Sequence, residues 1–244
     1  MIGNSKPKSI FLLLMITFIM TGCISKEDRS ILEKAKGDGL TYSEYFKSVD
    51  ELDHRQNVIY YKPLPIDKML ALVPESMKKS VHLVNSKKLP FEVNEQTAYV
   101  VTSKDEQGNL QNQLQLTYLN NSEYGQPEEF LIISVTEVDE NPLEKYDFSK
   151  EKTDTVGNEI KKEILTDEIP IFHQVINTNG GLAYRYYMYN EKEERVGTMV
   201  TSANELYSYY NGHLYHVGYW VENQNTKGVQ EEILQVTKEF ILSK

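Results

Sequence analysis

Between Leu110 and Tyr118, Leu110, Leu114, Leu116 and Tyr118 alternate with Gln113, Gln115 and Thr117. A period of two predicts a β-strand with one buried and one wet face. "TAYVVT" precedes this strand and "FLIISVTEV" follows it, separated by "DEQGN" and by a polar loop through Gly125 and Pro127. Residues 89–138 therefore read as a three-stranded antiparallel meander. After a charged connection over residues 139–158 comes a second block. "EIPIFHQVI", "GLAYRYYMY", "RVGTMVTS", "ELYSYY" and "HLYHVGYW" are five strand candidates, separated by Gly180-Gly181, by "NEKEE" and by Asn211-Gly212. In the closing segment the period changes, and Val229, Ile233, Val236 and Phe240 form one stripe of a helix with Glu231, Glu232, Lys238 and Glu239 outside it. The pattern predicts an α+β fold over residues 57–244, a curved antiparallel sheet of two meanders with the C-terminal amphipathic helix packed on it.

Upstream, "VIYYKPLP" from Val58 is strand-like and stops at its prolines, and Asp67 can cap a short helix over "KMLALV" that Pro74 ends. Residues 23–56 are charged with both signs and read as a tether. Within it, Ser30 and Glu33 have capping-box spacing, which with Ile31, Leu32 and Ala35 predicts a short helix ending near Gly37 and Gly39.

At the N-terminus, Lys6 and Lys8 precede the apolar run "IFLLLMITFIM", Ile10 to Met20. Crossing a bilayer takes about 20 residues, so this run is the core of a signal peptide over residues 1–22. "MTGC", Met20 to Cys23, resembles the lipobox of bacterial lipoproteins, with Met20 where Leu is usual. That resemblance implies diacylglyceryl modification of Cys23 and cleavage before it. The membrane is then a partner through the Cys23 lipid, and the mature chain is expected on the extracytoplasmic face of the cell membrane.

The chain's formal net charge is -10. The signal segment carries two lysines and no acid, so the mature part stands at -12. Such a surface disfavours nucleic acid and electrostatic docking on anionic lipid. With one cysteine, neither an intramolecular disulfide nor a cysteine-built metal site is available.

"NGHLYHVGYW" raises the question of metal chemistry. A two-residue hairpin at Asn211-Gly212 places Tyr210 opposite His213, Tyr209 opposite Leu214 and Tyr207 opposite His216. Positions three apart in a strand face opposite sides, so His213 and His216 cannot share an ion, and no metal or other cofactor is expected. Nine of the seventeen tyrosines lie between residues 182 and 220, beside Trp220, the single tryptophan. They can be sheet core, or a concave aromatic face that stacks on a ligand. The hairpin puts Tyr207, Tyr209, Leu214 and His216 on one face and Leu206, Ser208, Tyr210, His213, Tyr215 and Val217 on the other. The second set is assigned to the core, the first to the outside or a groove, and Tyr207, Tyr209 and Trp220 are the candidate ligand-binding residues. Ser76-x-x-Lys79 lacks the motifs that accompany it in penicillin-recognising enzymes, and no catalytic residue is nominated.

"KLPFEV" leading into "LQLTYL", the second block and the closing helix resemble a domain of unknown function found in lipoproteins of Gram-positive bacteria and in the outer part of membrane-anchored anti-sigma factors. The resemblance spans roughly residues 85–244 and implies an α+β fold with an extracytoplasmic binding or sensing role. The expectation is a non-enzymatic binding or sensory module, with an envelope protein or cell-wall component as partner. The alternative is an envelope hydrolase whose active site is assembled from distant segments.

Overall fold

The computed structural model describes residues 32–39, 41, 56–104, 107–145, 152–166, 169–180 and 183–243. The signal segment, Cys23 and Ser30 lie outside these. The described strands are β1 (Lys34–Gly37), β2 (Gln56–Tyr61), β3 (Leu64–Pro65), β4 (Glu95–Lys104), β5 (Leu110–Asn121) and β6 (Pro127–Glu137). They continue as β7 (Glu159–Ile164), β8 (Pro170–Val175), β9 (Tyr184–Asn190), β10 (Arg195–Thr201), β11 (Asn204–Tyr210) and β12 (His213–Trp220). The helices are α1 (Ile66–Met69) and α2 (Lys227–Leu242). Among the described residues no helix is long and apolar enough to cross a membrane.

The fold is α+β, an open curved sheet with the C-terminal helix. The sheet order is β7-β8-β11-β12-β6-β5-β4-β2-β1-β10-β9, with β3 pairing β4. The first meander, β4 to β6, forms in sequence order. In the second block all five expected strands form, but they do not make one meander. The β9–β10 hairpin leaves the block and reaches the far end of the sheet through β1, which pairs parallel with β10 and antiparallel with β2. Its place is taken by the β8–β11 pair, and β12 docks on β6 to join the two blocks. The charged segment "EIKKEI" supplies β7, an edge strand that buries Ile160; its lysines and glutamates blunt the free edge.

The helix expected around residues 31–37 gives way to β1 at Lys34–Gly37. One helical turn is costly to nucleate, whereas an extended β1 gains ladder bonds from two neighbours. Gly37 lies under the Tyr60 ring so closely that a Cβ there would come 2.2 Å from Tyr60 Cγ. The folded body therefore reaches upstream of residue 57, and Leu32 joins the core.

The sheet has two buried faces. One carries the main apolar core and is covered by α2 and the segment from Ile66 to Phe91; Ile233, Val236, Phe240 and Ile241 pack there, with the Phe240 ring edge-on to Tyr215 at 6.2 Å. The α2 stripe expected from the sequence thus lies on the sheet, with Val229 at its margin. The second face was expected to be wet at Gln113, Gln115 and Thr117, but all three are buried. The cover is β9, which runs across this face from β12 to β4. Tyr184 sits against Gly218 of β12, where a Cβ would lie 2.2 Å from its ring. Tyr186 packs on Phe130 of β6 at 5.9 Å. Tyr187 lies over β5, where its N–H donates to Gln115 Oε1 at 2.7 Å and its carbonyl accepts from Gln115 Nε2 at 3.0 Å. The Tyr187 hydroxyl donates to Gln113 Oε1 at 2.7 Å. A glutamine side chain, which presents an amide N–H and a carbonyl oxygen together, stands in for a neighbouring strand.

Gln115→Leu removes that stand-in and both hydrogen bonds it makes to the Tyr187 backbone. At about 1 kcal/mol for each lost bond, urea denaturation should register a loss of about 2 kcal/mol. A loss under about 1 kcal/mol would show that water reaches Tyr187 and that the amide does not hold β9 down.

Candidate functional site

The β11–β12 hairpin forms in the expected register, with Tyr210 opposite His213, Tyr209 opposite Leu214 and Tyr207 opposite His216. Asn211 and Gly212 have φ of 50° and 80°, the left-handed pair that a type I′ turn requires. His213 and His216 accordingly face opposite sides. His213 Nδ1 lies 3.1 Å from Ser80 Oγ on the helix side, and His216 lies on the crossed side. Among the described residues no group of three or more His, Cys, Asp or Glu side chains is placed to hold a metal ion.

The core assignment of Leu206, Tyr215 and Val217 holds, but the opposite set is not an outside surface. Tyr207 is 0% exposed. Its hydroxyl donates to Glu205 Oε2 at 2.8 Å and lies 2.7 Å from His216 Nε2, which is itself 2.7 Å from the same carboxylate oxygen. The Tyr207 and His216 rings stack at 4.3 Å. The tyrosine expected as an exposed ligand contact is a buried structural residue, because on this sheet both faces are covered. With Glu205 also 0% exposed, this carboxylate–imidazole–phenol cluster is sealed from any substrate. Tyr209 is half-buried against the neighbouring apolar cluster, and with Tyr210 and Leu143 it lines a small recess of about 230 Å³. Trp220 is 42% exposed.

The larger opening is a groove of about 390 Å³ where β9 passes over the ends of β4 and β5. One wall is β9, with Tyr186, Tyr187, Met188 and Tyr189 and then Glu191 in the turn beyond. The floor and opposite wall include Tyr99, Thr117, Leu119 and Asn121, with Pro63, Pro65 and Pro127 at the rim. Glu95 is held in position there: Asn121 Nδ2 donates to its Oε2 at 2.7 Å and Thr97 Oγ1 to its Oε1 at 3.1 Å. Burial pushes the Tyr99 hydroxyl well above the ordinary phenol range, with nearby Glu95 adding to the shift. Tyr186 is raised by burial as well, so both phenols stay neutral and offer hydrogen bonds.

Of the three nominated residues, none lines this groove, yet Trp220 is in line with it. Trp220 pairs with Phe130, Phe130 with Leu119, and Leu119 with Glu95. Directly opposed residues share a face, so the four form one row across β12, β6, β5 and β4 beside β9. The sequence singled out the tyrosines of β9 as a group, but the contributions of β4 and β5 depend on where β9 lands.

On the helix side, His173 Nε2 lies 2.8 Å from the Tyr219 hydroxyl. Burial, reinforced by Lys161, lowers its pKa from 6.5 to about 3. The unfolded chain then takes up this proton first, so the stability of neutral His173 is complete above pH 6.5 and is lost as pH falls toward 3. At pH 5 the loss is about 2 kcal/mol. Melting temperature should fall between pH 7 and 5 in the wild type, and His173→Gln should flatten that limb; parallel curves would place the titration elsewhere.

The burial of Tyr207 and the exposure of Trp220 give opposite expectations. Tyr207→Ala should cost about 3–5 kcal/mol in denaturant titration, while Trp220→Ala should stay within about 0.5 kcal/mol of wild type. The reverse order would exchange their places in the fold.

Comparison with protein-family models, with curated proteins and with solved structures finds no match to this chain.

Proposed function

We propose that the chain is a lipoprotein held at the outer face of the cell membrane by acylated Cys23, and that its folded domain is a non-enzymatic binding or sensory module whose ligand site is the groove beside β9. The observation that carries the reading is the groove itself, a concave surface combining tyrosines with a fixed carboxylate and side-chain amides, the usual mixture of a recognition site. The lipobox-like "MTGC" supports the anchor, and the resemblance of residues 85–244 to extracytoplasmic lipoprotein domains supports the sensing role. An envelope protein or a cell-wall component is the class of partner that such an address brings within reach.

Two measurements test this. Cys23→Ala should release the protein into the medium or leave an unprocessed precursor, with fatty-acid label lost; a processed, membrane-bound variant overturns the anchor. A photo-crosslinking residue at Met188, which lines the groove, should give adducts in cells, and the same residue at Glu231, exposed on α2, should give none. Adducts at Glu231 alone would move the site to the helix face.

A further inference from the structure

The groove and Trp220 define a longer feature than either alone. The cross-strand row Trp220, Phe130, Leu119, Glu95 runs alongside β9. Phe130 is roofed by Tyr186, which leaves an exposed indole at one end of the row and a carboxylate at the other. Three strand spacings separate them, about 14 Å, the length of about four residues of extended chain.

The charge along this feature has one sign. Glu95 and Glu191 line the groove, and among the described residues no lysine or arginine does. Lys62, beside the rim, is already engaged by Glu33 at 2.6 Å and Glu194 at 3.6 Å. Glu95 is oriented by Asn121 and Thr97, so its geometry is set before a ligand arrives. Aromatic faces attract Lys and Arg side chains, carboxylates complement them, and grooves walled by aromatic residues accept extended, proline-compatible peptides. The same charge repels an anionic polymer.

We propose that this groove, with Glu95 and Glu191, and the exposed Trp220 in line with it beyond Tyr186 together dock an extended basic segment of a partner polypeptide, with Lys or Arg side chains on Glu95 and on the Trp220 face. The inference rests on the groove being the binding site proposed above and adds the chemistry of its occupant.

The test uses the full-length lipoprotein in a neutral detergent and follows the anisotropy of a fluorescent peptide of about ten residues alternating Lys and Pro, which favours an extended conformation. The Lys-Pro peptide should bind, more weakly as salt rises, while a Glu-Pro counterpart and a neutral N-acetylglucosamine oligomer should not. Glu95→Gln combined with Glu191→Gln, and separately Trp220→Ala, should each weaken binding by at least about tenfold with melting temperature unchanged. Binding that is unaffected by both variants, or binding of the saccharide and not the peptide, overturns the inference. Met188 crosslinks without Lys-Pro binding also overturn it while leaving the groove as the site; loss of the Met188 crosslink removes the groove reading as well.

Discussion

The pairing of one glutamine side chain with the backbone N–H and C=O of one residue is the contact on which the crossing of the two layers depends. Gln115 stands at the centre of β5, on a face that alternation marks as polar, and its amide bonds both the N–H and the C=O of Tyr187. β9 has its ladder with β10 on one edge, but on the edge that crosses the sheet face no strand lies beside it, and an unpaired peptide group in a buried place is expensive. The amide removes that cost at the crossing point. Gln113 extends the same solution, accepting from the Tyr187 hydroxyl and from Thr41, and donating to Thr136. The polar residues of β5 are therefore the adhesive between two layers.

The same constraint explains the chemistry at the other end of the crossing. Where Tyr184 lies over Gly218, the absence of a side chain gives the ring its seat. Beside it, Tyr207 and His216 both bond Glu205 Oε2 within β11 and β12, while Glu205 Oε1 is buried without a hydrogen-bond partner among the described residues. Removing a carboxyl group from water is costly unless hydrogen bonds replace hydration, and the stacked imidazole and phenol supply them at one of its two oxygens. This cluster has the groups of an acid–base site in a place where they serve packing.

Because β9 covers the sheet face only partly, a strip beside it stays open. The groove is that strip, and its composition follows from the crossing: tyrosines from the covering strand on one side, hydroxyls, amides and Glu95 from the ends of β4 and β5 on the other. Trp220 is exposed for the same reason, since it ends β12 at the margin of the covered area.

Much of the local structure was written in the chain. Asn211-Gly212 fixes a type I′ turn, and with it the register of Tyr207 against His216 and the opposite facing of the two histidines, because turn geometry and a period of two act over neighbouring residues. The stripe of Ile233, Val236 and Phe240 likewise determined which side of α2 meets the sheet, and the first meander followed from its own alternation. What the tertiary structure alone decided is the destination of β9–β10, the conversion of residues 34–37 from the expected helix to β1, and the burial of Tyr207 and of the glutamines of β5. Those outcomes depend on contacts such as Gln115 with Tyr187 and Gly37 with Tyr60, between residues far apart in the chain. Periodicity shows that a face is polar; only the strand that comes to rest on it determines whether that polarity meets water or another backbone.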